Sequence, residues 1–114
     1  MNLLILGDVM GASGRKALSN TLPELIKKFQ IDFVIVNGEN ASDDGKGITQ
    51  EITEEFFKSG VDVITSGNHI WDKKETIKYI QSEKRLLRPS NFISGSPGSG
   101  TGIFEIKNSN YKVG

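Results

Sequence analysis

The sequence predicts an α/β fold, a parallel-type sheet with helices on both faces, and three observations carry that prediction. Leu3-Leu4-Ile5-Leu6 and Phe33-Val34-Ile35-Val36 are apolar runs of strand length without polar alternation, the pattern of strands buried on both faces, and Val61, Val63 and Ile64, with Asp62 among them, give a third strand. A helical pattern follows each run, which gives the order β-α-β-α-β-α. Each run also ends in a glycine-bearing turn: Gly7-Asp8, Asn37-Gly38-Glu39-Asn40 and Gly67-Asn68-His69. Right-handed crossovers between parallel strands bring these three turns to one sheet edge, where open α/β sheets place their ligands.

After the first strand, Asp8, Gly11 and Gly14 mark a turn. Leu18, Leu22, Leu25, Ile26 and Phe29 then recur at spacings of three and four, the stripe of a packed helix, with a kink expected at Pro23. Ser42 to Gly47 reads as an exposed loop. Thr49 is placed to cap a helix that buries Ile52, Phe56 and Phe57 and ends at Gly60, where a left-handed residue is favoured. A third helix is expected from Lys73 to Gln81, with Ile77 and Ile80 inward and Asp72 as its N-cap. Beyond Leu87 the pattern changes: the Gly/Ser/Pro-rich segment Ser94–Gly102 precedes a half-buried strand, Ile103-Phe104-Glu105-Ile106. A turn at Asn108-Ser109-Asn110 returns the chain through Tyr111-Lys112-Val113.

Composition narrows the function classes. Fourteen basic residues balance 14 acidic ones, so no net field steers the chain to nucleic acid or an anionic membrane. The absence of cysteine excludes disulfides, thiolate zinc sites and cysteine nucleophiles. No apolar run approaches the length a bilayer needs, and the first residues lack the basic flank and cleavage pattern of a signal peptide, so a cytoplasmic location is expected. The glycines near Asp8 have the spacing G-x-x-x-G-x-x-G, not that of a dinucleotide loop, and Lys46 lacks the glycine spacing of a phosphate-binding P-loop. Arg15 and Lys16 read as solvated helix residues, with anion contact as the minor alternative.

The three turns carry the chemistry. Asp8 alone also reads as a helix N-cap or turn aspartate. Glu39 is more informative, because glutamate is a poor turn former and its carboxylate would repel that of Asp8 unless a cation lay between them. Asn40 and Asn68 add neutral oxygen donors. His69, the one histidine of the chain, supplies a group able to donate a proton near neutral pH. Two divalent ions about 3.5–4 Å apart, bridged by a carboxylate, would activate water and clamp a phosphoryl group. Glu39 is the natural bridge, with Asp8 on one ion, Asn40 and Asn68 on the other, and His69 protonating the leaving oxygen. Trp71 reads as an aromatic plug beneath its loop.

These residues resemble the motif set of the calcineurin-like metallophosphoesterase superfamily, and more closely that of its YmdB-like branch. The matching segments are Ile5-Leu6-Gly7-Asp8-Val9, Val36-Asn37-Gly38-Glu39-Asn40-Ala41, Gly45-Lys46-Gly47-Ile48-Thr49, Gly67-Asn68-His69 with Trp71-Asp72-Lys73-Lys74, and Leu87-Arg88-Pro89-Ser90-Asn91. The resemblance implies metal-ligand roles for Asp8, Glu39, Asn40 and Asn68 and a proton-donor role for His69. It further implies a phosphodiesterase acting on cyclic nucleotides such as 2′,3′-cyclic AMP through a hydroxide activated by two metal ions. The wider superfamily has Asp-x-His in its first motif, whereas Asp8-Val9 is followed here by Met10, as in the YmdB-like branch.

Members of that branch are longer and draw further histidine ligands from their second half. Residues 1–114 are therefore expected to be the amino-terminal part of a single metallophosphoesterase domain, half of its α/β sandwich. The complete family site implies iron or manganese, and the oxygen donors present here suit Mg²⁺ or Mn²⁺. The expected partners are a small phosphodiester or RNA, and either a second copy or another chain that completes the site. Two other readings stay open on sequence: a catalytically inactive nucleotide- or RNA-binding remnant, and an association module that pairs through an open sheet edge.

Overall fold

Strand order follows chain order. In the computed structural model, which describes residues 1–114, β1 (Leu3–Asp8), β2 (Phe33–Asn37), β3 (Val63–Thr65) and β4 (Leu86–Leu87) form one sheet in the order β1-β2-β3-β4. All three pairings are parallel, with Ile5 beside Ile35, Ile35 beside Val63 and Ile64 beside Leu86. Between the strands lie α1 (Gly11–Phe29), α2 (Gln50–Lys58), a single 3-10 turn (Asn68–Trp71) and α3 (Lys74–Tyr79). The remaining strands, β5 (Phe104–Glu105) and β6 (Lys112–Val113), pair antiparallel as the expected hairpin.

The parallel α/β class is as the sequence predicts, but the helices do not occupy both faces. A strand order that never reverses sends every right-handed crossover over the same side of the sheet. Leu18 and Leu22 of α1, Ile52 and Phe56 of α2, Ile70 and Ile80 accordingly share one core with Val34, Val36, Ile64 and Leu86. The opposite face carries Phe33 and Val63, and the β5–β6 hairpin covers these with Ile106, Phe104 and Val113. The rings of Phe33 and Phe104 lie 6.3 Å apart, tilted by 39°. Apolar residues on both sides of a strand call for a cover on each side, and they do not specify a helix as that cover. Nor does the hairpin reach β1, where Ile5 remains 68% exposed.

Local signals explain the element ends. The Thr49 hydroxyl accepts from the Ile52 amide at 3.2 Å and starts α2, and Gly60 just beyond its end adopts φ +107°, outside the range comfortable for other residues. α1 runs unbroken through Pro23, which is exposed on the helix surface. α3 is shorter than its periodicity suggests: Ile80 is buried, whereas Ile77 is exposed and Thr76 takes the inward place, its hydroxyl donating to the Ile48 carbonyl. No helix is long and apolar enough to cross a membrane.

Candidate metal-binding strand edge

The site begins with an irregularity in β1. Leu6 pairs with Val36, but Asp8, two residues on, pairs with Asn37, one residue on, so Gly7 is an extra residue in the first strand. Such a bulge reverses the alternation beyond it. Leu6 and Val36 pack with the helices, and Asp8 is paired instead with Asn37, exposed at the carboxyl edge of the sheet.

Beyond β2 the chain turns sharply, and Asn37 drives the turn. Its side-chain oxygen accepts from the Glu39 amide at 3.2 Å, the hydrogen bond of an Asx turn. Asn40 then reaches back to β1, its side-chain nitrogen donating to Asp8 Oδ2 at 2.9 Å. This leaves the Asn40 side-chain oxygen free as a donor to a cation. Glu39 extends the other way, and its carboxylate lies against the backbone of Gly67 after β3. A Cβ at position 67 would overlap that carboxylate, so glycine there is a cradle for Glu39.

His69 stands on the 3-10 turn that follows Gly67, with Asn68 exposed beside it. The His69 ring nitrogen Nδ1 lies 2.9 Å from Asp72 Oδ2. The loop from Ala41 to Gly47 ties the second turn to the third. The Gly47 amide donates to the Glu39 carbonyl at 2.7 Å, and a Cβ on Gly47, whose φ is +77°, would come within 2.9 Å of the His69 carbonyl oxygen. On the outer side of this loop Lys73 Nζ donates to Asp44 at 2.6 Å, and that hydrogen bond is the main cause holding the Asp44 carboxyl below its ordinary pKa.

The structure therefore gathers Asp8, Glu39, Asn40, Asn68 and His69 on one edge. No three His, Asp or Glu side chains converge closely enough to enclose an ion by themselves. Two carboxylates and two carboxamides form an open, oxygen-only donor set, which fits part of the coordination of a hard divalent cation.

A family model described as YmdB-like protein matches residues 4–114. The chain belongs to that family. This YmdB-like chain is 46% identical over 100 residues to the 2′,3′-cyclic-nucleotide 2′-phosphodiesterase of Bacillus subtilis, a match covering 88% of this chain and 38% of that protein. Among solved structures it superposes on a hypothetical protein from Thermus thermophilus with a TM-score of 0.85 and 38% identity, over 94% of this chain and 41% of that one. A phosphatase from Mycoplasma pneumoniae gives a TM-score of 0.83 and 39% identity, over 91% of this chain and 38% of the other. The chain thus spans about two fifths of the length of the relatives it matches.

Four residues of the YmdB-like edge escape a reading by sequence. Asp72 is not the cap of α3, whose N-cap is Lys73 with no side-chain hydrogen bond; it pairs with His69 instead. The i, i+3 spacing of the two, on one turn, was the available signal. Arg15 is not a solvated helix residue: its side chain is only 17% exposed and bonds the Ala41 carbonyl and Asp43. Asn37 and Gly67 belong to recognised motifs, but their tasks, closing a turn and vacating space for a carboxylate, depend on contacts that sequence does not show. Trp71 does plug its loop, packing against Phe92 at 6.0 Å.

Proposed function

We propose that this edge is the oxygen-donor side of the metal site of a phosphodiesterase, and that its substrate is a 2′,3′-cyclic nucleotide. The observation that supports it best is the seating of the Glu39 carboxylate in the cradle of Gly67, on the same sheet edge as the paired Asp8 and Asn40. Two carboxylates directed to one sheet edge with no basic partner of their own gain stability from a cation between them. Asp8, Glu39, Asn40 and Asn68 would hold the divalent metal through their side-chain oxygens. With a single histidine, whose ring engages Asp72, and no three His, Asp or Glu side chains converging on one point, the donors that complete the coordination would come from outside residues 1–114.

Bound divalent metal supplies Lewis acidity toward the phosphoryl group and the attacking water. The chain's own residues supply the proton. Asp72 engages Nδ1 of His69, which leaves Nε2 to carry a proton to the departing ribose oxygen. The cyclic-nucleotide substrate follows the named activity of the Bacillus subtilis relative.

The test is a manganese titration of the wild-type chain and Glu39→Gln, paired with a phosphorus NMR assay of 2′,3′-cyclic AMP. Weakened Mn²⁺ binding in E39Q, with any hydrolysis lost alongside it, supports the proposal. Equal Mn²⁺ binding by both chains, or none by the wild type, overturns the metal assignment. Nucleotide binding without hydrolysis at saturating Mn²⁺ favours the inactive binding remnant.

A further inference from the structure

The turn that carries Glu39 and Asn40 is held by its backbone carbonyls. The Gly38 carbonyl accepts from the Ala41 amide at 3.2 Å, that of Glu39 from Gly47 at 2.7 Å, and that of Asn40 from Gly11 at 2.9 Å. The fourth, that of Ala41, accepts from a side chain: Arg15 Nη1 at 2.6 Å. Ala41 is fully buried with the guanidinium in place, so its carbonyl depends on that side chain for its partner. The same guanidinium donates to Asp43 at 2.8 Å and lies 3.9 Å from Glu55 of α2. These two carboxylates are 81% and 46% exposed, and solvent screens their attraction. The bond to the Ala41 carbonyl is therefore the effective one.

We propose that Arg15 is a positioning residue for the pair Glu39 and Asn40: by fixing the Ala41 carbonyl to α1 it sets where both side chains stand on the sheet edge. The inference rests on the metal-ligand reading of that pair and adds to it a residue that touches neither metal nor substrate. Two cations pin the 41–47 loop, and their tasks differ. Arg15 holds its start, next to Asn40, and Lys73 holds Asp44 at its far side, next to the His69 turn. Loss of the first disturbs the contact between Asn40 and Asp8, and loss of the second leaves that contact in place.

The experiment reads the side-chain amide resonances of Asn40 in ¹⁵N-labelled chain, without metal, for the wild type, Arg15→Gln, Arg15→Lys and Lys73→Met. In R15Q the two Asn40 amide protons are expected to move toward the values of a free carboxamide, with a partial return in R15K, whose single ammonium still reaches one carbonyl. K73M is expected to keep the wild-type values. Mn²⁺ affinity should fall about tenfold in R15Q, the usual effect of removing a group that orients a ligand. A purely structural arginine would lower the melting temperature and leave Asn40 unmoved, so unchanged Asn40 resonances in folded R15Q overturn the proposal. If R15Q does not fold, R15K decides on the same resonances. A wild-type chain that binds no Mn²⁺ counts against the metal reading, and the Asn40 shifts still decide the role of Arg15.

Discussion

Gly67 and His69 stand two residues apart on the same turn, and substitutions there should separate placement of the metal ligands from proton transfer. Adding a Cβ at position 67 displaces the Glu39 carboxylate, which is the flexible end of a long side chain and can swing away at little energetic cost. Gly67→Ala should therefore leave the melting temperature nearly unchanged while weakening Mn²⁺ binding by roughly 10–100-fold, the range seen when ligand placement is disturbed. Paired melting curves and metal titrations check this, and a large loss of stability would mean that the cradle is rigid. His69→Ala removes the proposed proton donor and its contact with Asp72. In an assembly that hydrolyses 2′,3′-cyclic AMP it should lower turnover by about 10²–10⁴-fold. Mn²⁺ affinity should stay within a few-fold of the wild type, which a titration beside the kinetic assay would show.

Among the elements, α2 and the turn before β4 carry the clearest stability signals. Thr49→Ala removes the cap of α2, at a cost of about 1 kcal/mol. In a domain near this size that lowers the melting temperature by about 4 °C, which thermal unfolding by circular dichroism would measure. The turn before β4 is held by a fork: Arg85 donates to Glu83 through Nε and Nη2, both at 3.0 Å, and stacks 3.7 Å above the Phe57 ring of α2. Burial works against ionisation of Glu83, but the hydrogen bonds and charge of Arg85 outweigh it and hold the pKa below the ordinary 4.5. A lowered folded-state pKa stabilises above the unfolded value and is lost as pH falls through the folded one. The stability gap between wild type and Glu83→Gln should thus be constant near neutrality and close below pH 4.5. Urea titrations across that range check it, and a gap independent of pH would rule out the ionic contribution.

For the molecule as a whole, the two faces of the sheet should fail separately. Leu22 is fully buried in the helix-side core, and Leu22→Ala should cost about 2–5 kcal/mol and destabilise the entire sheet. Ile106 is 3% exposed in the smaller cluster beneath the hairpin. Ile106→Ala should release β5 and β6 first, because local openings follow local packing. Hydrogen exchange would show protection lost in residues 104–113 while β2 and β3 stay protected. Equal loss across both regions would show one cooperative unit.

The sequence alone determined the βα alternation, the parallel sheet, the carboxy-terminal hairpin and the three turns that carry Asp8, Glu39, Asn40, Asn68 and His69. These features rest on apolar runs, helical spacing and turn residues, and such signals are local in the chain. The tertiary structure decided what depends on residues far apart. It put all the helices on one face, because an unreversed strand order sends every crossover the same way. It aimed Asp8 through a bulge visible only once β1 is paired with β2. It set the Glu39 carboxylate against Gly67, 28 positions away, and Arg15 against the Ala41 carbonyl, 26 positions away. Periodicity encodes which side of an element is buried, whereas the partner that buries it, and the space left for a carboxylate, exist only when the strands are side by side.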